Sequence, residues 1–201
     1  SVFSPEEHLR QSNTANTYYI EGKKEDVTNN THAIDIDSFI KSVENNKGYY
    51  IARYEASQNS LTNKANSKND VVWHISQDEA SMACRNIYTS NNFTSDLVNS
   101  YAWNTAILFI QECSNDKTYS RKKSLNTQLM NTGSTGDVVC NIYDMASNNW
   151  EWTTETCNLE ETPCVTEGGD WYHKEYYANG RNYRNSEKDG AGSFRPILYI
   201  N

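Results

Sequence analysis

Acidic and indole side chains are concentrated at residues 141–155, which read NIYDMASNNWEWTTE. Asp144 and Glu151 could act as acids or as hard oxygen ligands of a metal, and Trp150 and Trp152 could wall a cleft. The same residues could form a packed corner, because indole rings bury large areas in a core. The residues alone leave three interpretations open: an active-site wall, a metal-bound structural corner, or plain core.

Other catalytic constellations are scarce in the sequence. The four histidines form no Ser/His/Asp set, and each is better explained as a surface or hydrogen-bonded histidine. The chain has no glycine-rich phosphate loop, no HExxH and no GxSxG. The five cysteines include no CxxC, which argues against a zinc ribbon. Cys157 and Cys164 flank a short acidic loop and could form a disulfide; the alternative is buried thiols acting as small apolar residues, which we expect for Cys84, Cys113 and Cys140.

The segment at residues 171–188, WYHKEYYANGRNYRNSEK, mixes tyrosine, asparagine, arginine and histidine with almost no aliphatic residues. Such a composition is typical of paratopes, where rings supply contact area and short polar side chains supply adaptable hydrogen bonds. A solvated loop is the alternative, but it would leave several rings in water. We therefore predict a ligand-binding surface formed by Tyr172, His173, Glu175, Tyr176, Tyr177, Asn179, Arg181, Asn182, Tyr183 and Asn185.

Charge and hydropathy exclude several classes of function. The net charge of -8 argues against binding to phosphate backbones, so we expect no nucleic-acid partner. The mean hydropathy is -0.84, and the longest apolar run, AILFI, is far shorter than the ~18 residues of a membrane span. An extracellular or cell-surface location is predicted, which a disulfide would suit.

The elements that must position these residues follow from periodicity and capping. Residues 34–201 are predicted to form one domain of the α+β class, after an irregular arm at residues 1–33. A capping box, with Ser76 as the cap and Glu79 three residues later, predicts a helix that runs to about residue 88. Further helices are predicted at residues 34–46 and 95–113, strands at residues 48–57 and 71–75, and short strands and turns from Gly136 onward. The inward face of the 95–113 helix is predicted to be Leu97, Val98, Tyr101, Ala102, Ala106, Phe109 and Ile110.

Several segments, in order, resemble the formylglycine-generating-enzyme family, also called the sulfatase-modifying-factor domain. DMASNNWEW is similar to the family's DMxGNvWEW signature, and GYYIARYEAS to its early strand. VVWHISQDEASMACRNIY, VTEGGDWY and GSFRPILYI resemble its strand and helix, its RGGSW segment and its terminal GFRp strand. The resemblance covers residues 49–200 and implies a C-type-lectin-like fold of the formylglycine-generating subtype, with its C-terminal loops on one face.

The resemblance does not extend to the family's oxidase chemistry. The oxidase members hold copper with two cysteines in GGSWxCxxxxC, since Cu(I) favours soft thiolates. In this sequence GGDWYHKEYYANG places His173 and Ala178 at those positions. We therefore predict a non-catalytic protein that requires no cofactor; the alternative is an enzyme of the formylglycine-generating type.

The resemblance also implies a structural calcium, an ion that takes about 6–8 hard oxygen ligands. The family's pattern maps onto Asp144, the carbonyls of Ser147 and Asn149, and Glu151. Ser147 stands where the family has glycine, which would be costly if that position needs a positive φ. The alternative is that Glu151 accepts hydrogen bonds from backbone amides of the turn, without a metal.

The segment at residues 171–188 also resembles the variable region of diversity-generating-retroelement proteins, which are non-catalytic and share the fold. In those proteins tyrosine, asparagine, aspartate, histidine and serine vary at scattered positions on a constant frame. The resemblance implies a variable protein that binds a protein or glycan ligand through this segment. Variation is predicted at Tyr172, His173, Tyr176, Asn179 and Asn182, whereas Trp150, Trp152 and Trp171 are predicted to lie in the core.

Overall fold

The computed structural model describes residues 43–45, 47–57, 74–87, 89–90, 92–156, 161, 164–185 and 192–200. In this part of the chain, helices and short strands alternate with irregular connections, which confirms a mixed helix-and-sheet fold with much irregular structure. The helices are α1 (Gln77–Ile87) and α2 (Ser100–Cys113), followed by a 3₁₀ turn at Tyr119–Arg121. The strands are β1 (Tyr50–Ile51), β2 (Thr89–Ser90), β3 (Phe93–Leu97), β4 (Val138–Val139), β5 (Ile142–Tyr143), β6 (Glu151–Thr156), β7 (Cys164–Glu167), β8 (Arg181–Arg184), β9 (Ser193–Phe194) and β10 (Pro196–Ile200).

The described strands form three sheets. The first has the order β1-β10-β3-β2 and is antiparallel, with Tyr50 opposite Leu198 and Leu97 opposite Pro196. The second is the β4-β5 hairpin. The third has the order β8-β7-β6-β9, in which β6 and β9 run parallel. Strands β9 and β10 are separated by a single residue, so residues 193–200 join the two larger sheets.

The capping box upstream of α1 forms as predicted. The backbone N–H of Ser76 donates to Oε2 of Glu79 at 3.1 Å, and the N–H of Glu79 donates to Oγ of Ser76 at 3.2 Å. Ala80, Cys84 and Ile87 are buried on the predicted face of the helix. Local sequence therefore sets this helix, because both capping partners lie within its first turn.

Helix α2 begins five residues later than predicted, because residues 93–97 form β3 and pair with β10. The side chain of Asn99 accepts a hydrogen bond from the N–H of Ala102 at 2.8 Å and caps the helix. Most of the predicted inward residues are buried, but Phe109 is 49% exposed. Trp103 and Ile107 are fully buried instead, and Phe109 lies about 200° around the helix axis from Ile107.

Two of the predicted strands are shorter or absent where the structure describes them. Residues 48–57 contain only β1 and a bridge at Ser57, because the backbone bends at Arg53 and turns its carbonyl toward Arg195, at 3.0 Å. In the predicted strand at residues 71–75, residues 71–73 lie outside the described residues and residues 74–75 are irregular. The predicted arm at residues 1–33 and the helix at residues 34–46 also lie outside the described residues, except for a helical stretch at residues 43–45.

The cysteines differ in their surroundings. Cys84 is buried, as predicted, but Cys113 at the end of α2 is exposed and Cys140 in the β4-β5 turn is half-buried. Helix ends and hairpin turns lie at the surface, which explains both differences. Cys157 lies outside the described residues, so its disulfide with Cys164 stays a prediction.

Two groups of buried apolar residues form the core. One surrounds α2 and includes Trp103, Ile107 and Tyr119, and the other includes Trp152 and Phe194 between α1 and the third sheet. Among the described residues, no helix is long and apolar enough to cross a membrane.

Candidate ligand-binding surface

Residues 144–149 form a tight turn that leads into β6. Asp144 and Asn148 adopt left-handed backbone conformations, with φ of 64° and 67°. Asparagine and aspartate tolerate this conformation better than other non-glycine residues. Ser147 does not have a positive φ, so the predicted cost of replacing glycine by serine does not arise there.

Trp150 and Trp152 flank the start of β6 and lie in the core, as predicted. They are 4% and 0% exposed, and their rings meet edge to face with centroids 5.5 Å apart. Nε1 of Trp152 donates to the carbonyl of Ile75 at 2.9 Å, which satisfies the one polar atom of the buried indole. The core interpretation of these two side chains is therefore confirmed.

Glu151 and Arg195 form a fully buried salt bridge beside the turn. Nε of Arg195 donates to Oε2 of Glu151 at 3.1 Å, and Nη2 donates to Oε1 at 2.7 Å. The other guanidinium N–H groups donate to the carbonyls of Ala52, Arg53 and Tyr143, at 2.9, 3.0 and 2.8 Å. All five donors of the guanidinium therefore have acceptors, as a charge at this depth requires.

A second buried carboxylate, Glu55, ties the turn to the early part of the chain. It accepts hydrogen bonds from the side chain of Asn148 at 2.5 Å, the N–H of Asn149 at 3.2 Å and the hydroxyl of Ser193 at 3.2 Å. Burial raises the pKa of Glu55 well above its usual range, and the neighbouring carboxylates raise it further. The turn is thus held by side chains from distant positions in the sequence.

The four residues predicted as calcium ligands do not form a ready cation site. Both oxygens of Glu151 bind Arg195, and the oxygens of Asp144 accept hydrogen bonds from Gly133 and Thr135. In the part of the chain that the structure describes, no group of three or more His, Cys, Asp or Glu side chains is placed to hold a metal. The guanidinium already supplies the compensating positive charge, and calcium would have to displace it. Calcium on Asp144, Ser147, Asn149 and Glu151 stays a prediction that these contacts do not favour.

The turn at residues 144–149 also positions the loop of the GGDW motif, residues 168–171, through close backbone contacts. The N–H of Trp171 donates to the carbonyl of Asn148 at 2.9 Å. A Cβ added to Gly169 would lie 2.2 Å from the carbonyl oxygen of Ala146, so only glycine lets the two backbones approach this closely. The loop is therefore positioned by the turn and not only by its own sequence.

Replacing Gly169 with alanine is expected to lower the free energy of unfolding by about 3 kcal/mol, at the upper end for an overpacked site. Urea denaturation followed by tryptophan fluorescence measures the loss. Gly136→Ala is the control: its Cβ would meet nothing within 4 Å, and its φ of +84° adds backbone strain alone. That control should lose about 1 kcal/mol. Equal losses in the two variants would contradict the close approach as the cause.

Asp170 organises the first turn of the segment that follows. Its side chain is 2% exposed, and one oxygen accepts hydrogen bonds from the N–H of Tyr172 at 2.8 Å and from the N–H of His173. The other oxygen lies 2.7 Å from Nδ1 of His173. A local side-chain cap of this kind fixes the backbone of the turn, and here it also fixes the orientation of the imidazole.

Five ring-bearing residues, Trp171, Tyr172, His173, Tyr176 and Tyr177, form what we call the aromatic patch. The Trp171–Tyr172 and Tyr172–His173 contacts are edge to face, with centroids 5.4 and 5.0 Å apart. His173 stacks on Tyr176 at 5.0 Å. Tyr172 is 70% exposed and Tyr177 is 40% exposed. Trp171 is half-buried, so it belongs to this surface and not to the core as predicted.

The other residues predicted for ligand binding lie at different depths. Glu175 and Asn185 are exposed, whereas Asn179, Asn182 and Tyr183 are half-buried. The structure therefore brings most of the predicted residues to the surface, with the aromatic patch as their most open part.

Arg181 is the exception, because its side chain points into the interior and is 2% exposed. Nη1 donates to Oε1 of Glu167 at 2.9 Å and to Oγ of Ser100 at 2.6 Å. Glu155 joins the same cluster: its carboxylate accepts from the N–H of Ser100 at 2.9 Å and from its hydroxyl at 3.0 Å. Arg181 thus supports β8 from inside, in contrast to the ligand-contacting role predicted for it.

Two buried carboxylates share the single guanidinium of Arg181. Burial raises the pKa of Glu155, and it raises the pKa of Glu167 to about 8. Glu155 accepts hydrogen bonds at the start of α2, where the helix dipole favours a negative charge, whereas Oε2 of Glu167 has no hydrogen-bond partner among the described residues. Of the two carboxyls, Glu167 therefore favours the protonated form near neutral pH, and Glu155 supplies the charge opposite Arg181.

Residues 120–123 run alongside the aromatic patch and were not identified from the sequence. The N–H of Ala178 donates to the carbonyl of Lys122 at 2.9 Å. Lys123 forms a β-bridge with Tyr177, and its ammonium lies 5.1 Å from the centroid of that ring. The pairing is long-range, so no local periodicity indicates it. The one signal in the sequence is the run of three basic residues at 121–123.

His173 and Ala178, which the sequence resemblance placed at the copper-binding positions of the oxidases, have other roles in this structure. The imidazole of His173 is held by Asp170 and stacks on Tyr176. Ala178 is fully buried, and its carbonyl accepts a hydrogen bond from Nε1 of Trp103 at 2.9 Å. Neither position supplies a soft ligand.

Comparisons with known proteins support a fold but show no family. No family model matches the chain, and no curated protein matches it. The solved structure titled "Crystal Structure of CarF" is similar, with 12% sequence identity and a TM-score of 0.57, and the match covers 76% of this chain and 87% of that chain. At this identity the likeness concerns the fold alone, and it supports a C-type-lectin-like architecture at the coarsest level.

Proposed function

We propose that this protein is a non-catalytic ligand-binding protein that presents the aromatic patch to a protein or glycan ligand outside the cell. The observation that carries the proposal is the exposure of Tyr172 and Tyr177, 70% and 40%, on a backbone fixed by buried contacts. Large rings are the main anchors of binding interfaces. Held rigidly, they lose little conformational entropy when a ligand binds.

The backbone of the aromatic patch is positioned by contacts that do not involve the patch side chains. We call the residues that make these contacts the frame. Nε1 of Trp103 donates to the carbonyl of Ala178, and the N–H of Gly168 donates to the carbonyl of Gly180 at 2.8 Å. These contacts use backbone atoms or side chains outside the patch, so exchanging the patch side chains leaves them intact. This separation supports the finer proposal of a diversity-generating-retroelement variable protein, on a fold of the formylglycine-generating subtype.

Sequencing the same locus in sister clones tests the variable-protein proposal. Substitutions are expected at Tyr172, His173, Tyr176, Asn179 and Asn182. The frame should stay constant, including the inward-pointing arginine of β8. The residues expected to be invariant are Trp103, Gly168, Gly169, Asp170, Ala178 and Arg181. Differences spread evenly along the chain, or concentrated in the frame, would overturn the proposal.

An enzyme of the formylglycine-generating type is the alternative. His173 and Ala178 replace the two thiolates that its copper chemistry needs, which supports the non-catalytic proposal. Oxygen consumption with copper and a cysteine-containing peptide separates the two functions. We expect no turnover above the blank, and reproducible turnover would establish the enzyme.

A further inference from the structure

The surface around the aromatic patch has the opposite charge to the rest of the protein. Residues 120–126 and 171–185 contain six basic residues and a single acidic one, Glu175. The whole chain has 18 basic and 26 acidic residues, for a net charge of -8. A local field of opposite sign indicates which ligands this surface attracts, because screening confines surface charge effects to about 8 Å at physiological salt.

Some of these basic side chains are neutralised inside the protein. Nζ of Lys122 lies 2.8 Å from Oδ1 of Asp137, and Arg181 is paired with Glu167 at 2.9 Å. Buried Asp137 offsets the charge of Lys122, and buried Glu155, which lies in the same cluster as Glu167, offsets the charge of Arg181. Neither of these two cations therefore presents a net charge to a ligand. Three of the remaining cations are exposed, and we call them the basic rim: Arg121, Lys123 and Lys174.

The basic rim adjoins the rings of the aromatic patch. The ammonium of Lys123 lies 5.1 Å from the ring centroid of Tyr177. Lys174, next to His173 in the chain, donates to the carbonyl of Asn126 and so connects the two segments. Leu125, one residue before that carbonyl, is 57% exposed. Cations, phenol rings and an aliphatic side chain therefore share one surface.

We propose that the ligand of this surface is an acidic segment of a partner protein, which binds the basic rim through its carboxylates. The inference rests on the proposed function and specifies its ligand class. The apolar side chains of such a segment would cover Leu125 and the tyrosines. An uncharged glycan would leave the basic rim unpaired, and an anionic glycan would leave Leu125 uncovered. An acidic segment that also carries apolar side chains pairs with the basic rim and covers Leu125 and the tyrosines. The local positive field would also raise its association rate.

Fluorescence anisotropy with three labelled peptides tests this ligand class. The peptides share their tyrosine and leucine residues and differ only in carrying Glu, Gln or Lys at the remaining positions. The Glu peptide is expected to bind about tenfold more tightly than the Gln peptide, and its affinity should fall as salt is raised. The double variant K123E/K174E should reduce binding of the Glu peptide about tenfold, since it reverses the sign of two rim charges. K47E is a control for charge reversal at an exposed lysine outside the surface and should leave binding unchanged.

The outcomes separate failure of this inference from failure of the proposed function. Equal binding of the Glu and Gln peptides, no binding of any peptide, or an unchanged affinity in K123E/K174E would each overturn the acidic ligand. Preferential binding of a heparin oligosaccharide would overturn the protein as ligand class. Loss of binding in Y172A/Y177A together with no charge dependence would keep the aromatic patch as the binding surface and reject the acidic segment alone. Circular dichroism of each variant confirms that it is folded.

Discussion

Replacing Arg195 with methionine should lower the free energy of unfolding by about 3–5 kcal/mol, the usual loss when one partner of a buried ion pair is removed. Arg195 and Glu151 are both fully buried. The variant leaves a carboxylate without its cation, and it leaves three backbone carbonyls without the guanidinium donors they now have. A buried acceptor without a donor carries its own desolvation cost.

The loss of stability in Arg195→Met should be increased by the other carboxylates that interact with the same guanidinium. Burial raises the pKa of Glu55, Asp144 and Glu151, and the positive charge of Arg195 acts against that rise in each of them. Without the guanidinium, three buried acids face one another with no compensating charge. They then retain protons that the unfolded chain releases, so the variant should lose further stability as the pH rises.

Urea denaturation of Arg195→Met beside Arg53→Met measures this prediction. Arg53 is exposed and lies in the same part of the fold, so its replacement should stay within about 0.5 kcal/mol of the wild type. The double variant R195M/E151L removes the orphaned charge as well. It should therefore be more stable than the sum of the single losses implies. A loss below about 1 kcal/mol in R195M would contradict the buried ion pair as a main support of the turn.

Stability is expected to fall as the pH rises, and Glu167 should account for a large part of the change. The pKa of Glu167 is about 8 in the folded protein, against an ordinary value of 4.5. Between these values the folded state holds a proton that the unfolded state has released. The stabilisation is thus fully present below about pH 4.5 and is lost as the pH rises to and through about 8. The difference amounts to a few kcal/mol on the order-of-magnitude scale of about 1.4 kcal/mol per pKa unit.

Glu167→Gln isolates this contribution, because glutamine resembles the protonated acid in shape and charge. The variant should match the wild type near pH 5 and exceed it in stability near pH 9, by on the order of a few kcal/mol. Glu112→Gln is the control, since the side chain of Glu112 is 60% exposed and its salt bridge to Lys117 lies at the surface. Parallel stability curves for the wild type and E167Q between about pH 5 and pH 9 would show that Glu167 is ionised throughout and would reject the prediction.

The sequence predicted the parts of the fold that local contacts determine. Helix α1 begins where the Ser76–Glu79 capping box places it, because both partners lie within one turn. The start of α2 was predicted too early, since residues 95–97 were included in the helical pattern but belong to β3, which pairs with β10 about one hundred residues away. Tertiary pairing overrides the local preference there, and no local signal indicates it.

For the candidate surface too, the sequence predicted what local composition determines and missed what long-range pairing determines. The composition of residues 171–188 was enough to predict a surface that includes the exposed Tyr172 and Tyr177, whose role in binding stays a prediction. It could not show that Arg181 points toward Glu167. Successive side chains of β8 point to opposite faces of the strand, and only the pairing of β8 with β7 decides which face lies toward the interior. The run at residues 121–123 was missed for a related reason, because its partner lies more than fifty residues further along the chain.

The position of β10 has a consequence for how the protein is made. This strand lies between β1 and β3, so Tyr50 finds Leu198 opposite it only after most of the described chain has been synthesised. The ribosome must release residues 196–200 before the first sheet can close, and pairing at such separation in sequence is slow. The aromatic patch is therefore already translated when the chain is still incompletely folded. A substitution in the aromatic patch is therefore present throughout folding, and it is subject to cellular quality control.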